Sequence, residues 1–166
     1  DGEDCYQVID GQQRLTTCMI FFSAVVNCFL ARGFENKEIK LYKHFLYDEV
    51  REKARLKTVG YDNNYFFNWI IKRTIGSTPA TKSQENINGA LEYFSDALDH
   101  LDSEEILRMA KLLSSATITC YKVADKSMAA QVFAFQNDRG KDLSELEKIK
   151  SYLFLQVYLN SSGGKQ

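Results

Sequence analysis

The sequence predicts a predominantly helical α+β domain in which a small β-sheet packs on one buried central helix. Proline, the strongest helix breaker, occurs once in 166 residues, at Pro79. Residues 15–31 carry no charge and are apolar nearly all round, the mark of a helix enclosed by its own fold. Two runs, residues 5–9 and 116–123, read as strands, the second being rich in β-branched residues and alternating in polarity.

Residues 5–9 end at Asp10-Gly11, a turn signal, and the uncharged helix follows at once. It carries Leu15, Met19, Phe22, Val26, Phe29 and Leu30 on one side and closes at Gly33. From 35 to 57, charges of both signs alternate with Leu41, Phe45 and Leu46, and 55–59 offers a further short strand before Gly60. Asp62 is placed to cap a helix with Phe66, Phe67, Trp69, Ile70 and Ile71, which ends at Gly76 in a Ser/Thr/Pro loop suited to a hinge. Thr81-x-x-Gln84 and Asp102-x-x-Glu105 have the form of capping boxes. They open two helices expected to form a hairpin, one with Ile87, Leu91, Phe94 and Leu98, the next with Ile106, Met109, Leu112 and Leu113. The strand 116–123 is expected to pair with 5–9. A helix over 127–137 then breaks at Arg139-Gly140, and Ser144-x-x-Glu147 opens a last helix with Leu146, Ile149, Leu153, Phe154 and Val157 as its stripe. The chain reads as one domain, 1–160, with 34–115 as a helical insertion and 161–166 as a tail.

Composition removes several classes of function. With 45% apolar and 26% charged residues the chain is neither disordered nor collagen-like nor a disulfide scaffold. Lys and Arg number 21 against 22 Asp and Glu, so no global positive field draws nucleic acid and any such contact must be local. The uncharged stretch is shorter than the roughly 20 residues of a membrane span, and none is expected. Four cysteines (Cys5, Cys18, Cys28, Cys120) without a Cys-x-x-Cys pair point to reduced thiols in the cytoplasm and to no structural metal. The chain opens on Asp1-Gly2-Glu3-Asp4 without an initiator Met and reads as a piece of a longer protein. His44 and His100 stand alone, and Gly163-Gly164-Lys165 lacks the remainder of a phosphate loop, which excludes a Walker-type ATPase. The seven basic residues within 37–57 interleave with Asp48, Glu49 and Glu52, the pattern of a solvated helix face.

Two constellations carry candidate chemistry. In Val8-Ile9-Asp10-Gly11-Gln12-Gln13-Arg14-Leu15-Thr16-Thr17 a strand gives way to a buried helix through polar residues. The free N–H groups and dipole of such a helix start favour an anion such as phosphate. Gly11 admits a ligand to the backbone, Gln12 and Gln13 offer neutral hydrogen bonds, Arg14 can fork onto phosphate, and Asp10 can hold a divalent cation or orient water. The same residues also fit a plain N-cap at Asp10 with Arg14 as a surface charge, and composition does not choose. In Phe133-x-x-x-Asn137-Asp138-Arg139-Gly140-Lys141-Asp142-Leu143-Ser144 a glycine turn between helices can form an anion nest, with Asn137, Arg139, Gly140 and Lys141 around it. An ordinary C-cap and solvated loop is the alternative there.

Together, the two segments, followed by Lys150, resemble the hallmark stretches of the GmrSD restriction endonuclease N-terminal domain family. The resemblance is strongest at the two ends of the chain and loose in the helical middle, through Arg55-Leu56, Asp62 and Phe66. It implies a truncated ParB- and sulfiredoxin-like core with a helical insertion, whose box Gly11-Gln12-Gln13-Arg14 binds nucleotide phosphates. It further implies binding and hydrolysis of a nucleoside triphosphate with Mg, in a sensor and regulator of cleavage of modified phage DNA. Asp10, Gln13 and Arg14 are then the catalytic candidates. Gly11, Gln12, Gln13, Arg14, Thr17, Asn137, Arg139, Gly140 and Lys141 bind the nucleotide, and Asp10 takes the metal. Cutting belongs to a separate HNH nuclease domain, in the same or a partner chain, and nothing here matches it. Such domains carry a strand-forming stretch upstream of the box; without it, weak or absent turnover is expected, as is an exposed edge strand that favours pairing with a second copy. A non-enzymatic DNA-binding module gripping phosphates through the Arg139 and Lys141 loop, or a scaffold recruiting a nuclease, is the competing reading.

Overall fold

The computed structural model describes residues 6–8, 11–34, 36–58, 60–73, 78–120, 122–123, 149, 152–153 and 156. The chain divides into two compact units, Asp1–Gln12 with Ile118–Gln166, and Gln13–Thr117. The described residues are mostly helical, with one small antiparallel sheet.

The second unit is built around α1 (Gln12–Ala31), which starts three residues before the uncharged stretch. Ile20, Phe21, Phe22, Ser23, Ala24, Val25, Val26 and Phe29 are buried, and each large apolar side chain there contributes about 1.5–3 kcal/mol by leaving water. At 20 residues this helix is long and apolar enough, by length and composition alone, to cross a membrane. Its surroundings are those of a core helix. Phe22 stacks on Tyr42 at 5.3 Å between ring centroids, and Phe21 meets Phe94 edge-on at 5.4 Å. The helix ends as expected at Gly33, at φ +75°. Gly33 N–H donates to the Leu30 carbonyl (3.0 Å) and Phe34 N–H to that of Phe29 (2.9 Å), a Schellman closure that the edge-on Phe29 and Phe34 rings seal.

α2 (Lys37–Leu46) is capped by Asn36, whose side chain accepts the Ile39 N–H at 2.9 Å. Ile39, Tyr42 and Leu46 face the core while Leu41 is exposed, so the buried stripe differs from the one expected. β1 (Tyr47–Asp48) and β2 (Lys53–Ala54) follow as a hairpin with Tyr47 opposite Ala54 and Asp48 opposite Lys53. Asp48 organises its turn, its Oδ1 accepting the Val50 and Arg51 N–H groups, both at 3.2 Å. The short strand expected at 55–59 thus lies earlier, and the 37–57 run is a helix only as far as Leu46.

α3 (Asp62–Tyr65) passes directly into a π-helical segment, Phe66–Ile71. Its wider turn is evident where Lys72 N–H donates to the Phe67 carbonyl five residues back, at 2.9 Å. The last carbonyls of a helix have no partner within it, and Ser23 of α1, fully buried, donates its hydroxyl to that of Ile70. Asp62 does not cap this helix: Tyr61 occupies the cap position without a side-chain bond. The Asp62 carboxylate instead accepts from Thr81 Oγ1 (3.2 Å) and Gln84 Nε2 (3.1 Å), across to the start of α4 (Lys82–Asp99). Thr81 caps α4 as expected, accepting the Gln84 N–H at 3.1 Å, but Gln84 returns its oxygen to the N–H of Ala80. α5 (Ser103–Ser114) opens with the complete Asp102 and Glu105 box. Arg32, past the end of α1, donates to the carbonyls of Leu98 (3.1 Å) and Leu101 (3.0 Å) and ties down the end of α4.

The sheet is not where the sequence places it. Residues 6–8, 116–120 and 122–123 carry no strand, so the expected pairing of 5–9 with 116–123 is absent among the described residues, and so is the edge strand proposed for pairing copies. Alternating polarity permits a strand, but a ladder exists only where a second backbone lies alongside, and 116–120 are all exposed. Lys122 Nζ lies 2.9 Å from the Tyr6 hydroxyl and 4.5 Å from its ring centroid, a side-chain contact between the two runs. The helix expected over 127–137 lies outside the described residues. Of the last helix, Ile149, Tyr152, Leu153 and Gln156 are helical, with Ile149 and Leu153 exposed.

Candidate functional site

The first candidate segment is described from Gly11 onward; Asp10 lies outside the described residues. Gly11 adopts φ +83°, a conformation costly for any residue with a Cβ, and α1 begins immediately after it. Gln12, Gln13 and Arg14 are therefore the opening residues of the helix, where N–H groups have no carbonyl one turn back. All three are exposed.

Two side chains here have local work. Gln12 Nε2 donates to the Val8 carbonyl at 2.6 Å, bracing the approach to the helix, and Thr17 Oγ1 donates to the Gln13 carbonyl at 2.8 Å. Leu15 and Thr16 are half-buried.

The charge at this helix start is of the wrong sign for helix stability. No acidic residue stands in the first turn of α1, and Arg14 puts a cation beside the positive end of the macrodipole. By contrast α2, α4 and α5 carry Glu38, Glu85, and Glu104 with Glu105 in their first turns. The dipole at the start of α1 favours an anion there.

Asn137, Arg139, Gly140 and Lys141 lie outside the described residues. Among the described residues no three His, Cys, Asp or Glu side chains come together as a metal site. Among the described residues, the carboxyls shifted by their surroundings are Asp48 and Asp62, which lie elsewhere. Asp48 is held below the usual carboxylate range first by the Arg51 N–H, then by the charges of Arg55 and Arg51, despite an opposing burial effect. Asp62 is held down chiefly by a hydrogen bond from Ser83, with Gln84 and Thr81 adding to it. Both are structural. In the sequence Asp48 is marked only by preceding a turn, and Asp62 suggests a cap that it does not form.

Comparison with known families gives the class of the protein. The chain belongs to the GmrSD restriction endonuclease N-terminal domain family, whose sequence model matches residues 1–154. It is thus a module of a restriction system. No curated protein and no solved structure matches the chain significantly.

Proposed function

We propose that the chain is a nucleotide-binding, triphosphate-hydrolysing sensor and regulatory domain of a GmrSD-like, modification-dependent restriction system. The observation that carries this reading is the start of α1, where Gly11 at φ +83° is followed by exposed Gln13 and Arg14 with no acidic side chain in the turn. Backbone N–H groups receive the phosphates, Arg14 neutralises them, and Gly11 leaves room for close approach. Gln13 orients water or phosphate by a neutral hydrogen bond. Gln12 and Thr17 complete the phosphate-binding set at this helix start.

Asp10 is the protein's ligand to a magnesium ion that arrives with the triphosphate, and Asn137, Arg139, Gly140 and Lys141 form the second phosphate-binding element, as the family resemblance implies. The core is of the ParB and sulfiredoxin type with a helical insertion. Phosphoryl transfer needs oriented charge more than covalent help, so fixed donors supply most of the rate effect. Bound nucleotide then licenses an HNH nuclease domain, in the same chain or a partner, to cleave modified phage DNA. The free Cys18, Cys28 and Cys120 suit a reducing, cytoplasmic setting.

Calorimetry with magnesium and each of the four common nucleoside triphosphates tests the reading. Saturable binding that Arg14→Ala weakens about 10- to 150-fold supports it; no heat with any of them ends it.

A further inference from the structure

The π-helical segment runs out into an arginine held in an unusual way. Arg73 adopts φ +53°, a left-handed backbone that a residue with a Cβ takes only at a cost. Its guanidinium lies over the ring of Trp69, 5.1 Å from the centroid. That ring is itself anchored: Trp69 Nε1 donates to Asn88 Oδ1 of α4 at 2.7 Å, and Asn88 Nδ2 donates in turn to Glu92 Oε1 at 2.7 Å. The left-handed backbone and the fixed indole together restrict where the guanidinium plane lies.

Within the fold this charge meets no opposite charge. Arg73 is half-buried, and burial alone pushes its pKa down, with no carboxylate acting to restore it. Among the described residues none accepts a hydrogen bond from its guanidinium or forms an ion pair with it. The sequence holds no acid between Asp62 and Glu85, while the preceding residue, Lys72, adds a second, exposed cation lodged over the Tyr47 and Phe67 rings at 4.9 and 5.0 Å. Cations near a helix C-terminus commonly cover its last carbonyls. Here the Phe67 carbonyl already accepts the Lys72 N–H, and that of Ile70 accepts the Ser23 hydroxyl. A partly desolvated cation without a partner is costly, and strained backbone and π-helical turns both gather at functional sites.

We propose that Arg73, presented on Trp69 at the end of the π-helical segment, receives a phosphate monoester in a site that does not use Arg14. Stacking takes up one face of the guanidinium and leaves its in-plane N–H groups, whose fork matches two oxygens of a phosphate. A carboxylate also offers two oxygens, but two consecutive cations in an acid-free stretch favour the nearly doubly charged monoester over a single charge. The same reasoning ranks a monoester above a phosphodiester.

Trp69 is the single tryptophan of the chain, so its fluorescence reads the site directly. The 166-residue chain is titrated with inorganic phosphate, dimethyl phosphate and acetate, at constant ionic strength in chloride. A saturable change with phosphate is expected, at concentrations at least about tenfold below any response to the diester or to acetate. Arg73→Lys keeps the charge but not the fork and should weaken the response at least about tenfold, whereas Arg14→Ala should leave it unchanged. Displacement of phosphate by adenosine monophosphate or by a phosphoserine peptide, whichever acts at the lower concentration, identifies a nucleotide or a phosphoprotein as the source. Arg73→Gly removes the guanidinium and relaxes the backbone, so it should abolish the response while the melting temperature stays within about 2 °C of the parent. A larger fall marks a purely structural guanidinium and overturns the proposal. So does no response to phosphate, an equal response to acetate or to the diester, full retention in Arg73→Lys, or loss of the response in Arg14→Ala.

Discussion

Replacing Arg14 by alanine separates a ligand-binding role from a structural one. Arg14 is exposed on the first turn of α1, where its charge opposes the helix dipole, and truncation of such a surface residue changes stability by no more than about 0.5 kcal/mol. For a domain of this size that is a shift in Tm of less than about 2 °C. A charge-assisted hydrogen bond to phosphate contributes about 1.5–3 kcal/mol, so the same substitution should weaken triphosphate binding about 10- to 150-fold. Phe29→Ala provides the contrast: its side chain is 1% exposed in the core, and its loss costs about 3–5 kcal/mol, a fall in Tm of about 6–20 °C. Differential scanning fluorimetry on both variants, with calorimetry on Arg14→Ala, reads the two quantities separately. A Tm loss for Arg14→Ala comparable to that of Phe29→Ala would refute the reasoning and make the residue part of the scaffold.

Asp102→Ala removes the cap that accepts the Glu104 and Glu105 N–H groups at 2.9 and 2.8 Å, and should lower stability by about 1 kcal/mol in urea melts, with Asp102→Asn recovering most of it. Gly33→Ala should cost about 1–2 kcal/mol from the left-handed backbone alone, because nothing lies within 4 Å of the added Cβ; Gly33→Asn should cost less. Asp48 and Asp62 have folded-state pKa values depressed below their unfolded ones, so their stabilisation is complete above the unfolded value near 3.9 and is lost as pH falls through the folded values. Thermal melts should therefore decline below about pH 4, and Asp62→Asn should make that acid limb shallower.

The features legible in the sequence are those whose physics spans one turn of helix. Gly33 ends α1, Thr81 and Asp102 start α4 and α5, and the uncharged run is the core helix, because a cap or an αL closure needs only partners a few residues away. Family membership was legible as well, and the family's sequence model matches residues 1–154. Tertiary structure decided the rest. Residues 116–120 have strand composition and no strand, while Tyr47–Asp48 and Lys53–Ala54 pair without an alternating apolar pattern to announce them, since a ladder depends on which backbone arrives alongside. Asp62 bonds across to α4 instead of capping α3, and the stretch Phe66–Ile71 winds as a π-helix with its Ile70 carbonyl taken by Ser23, 47 residues away in sequence. Local hydrogen bonding is written into neighbouring side chains, whereas the winding of a buried helix and the partner of a strand are settled by packing between segments that are distant in the chain.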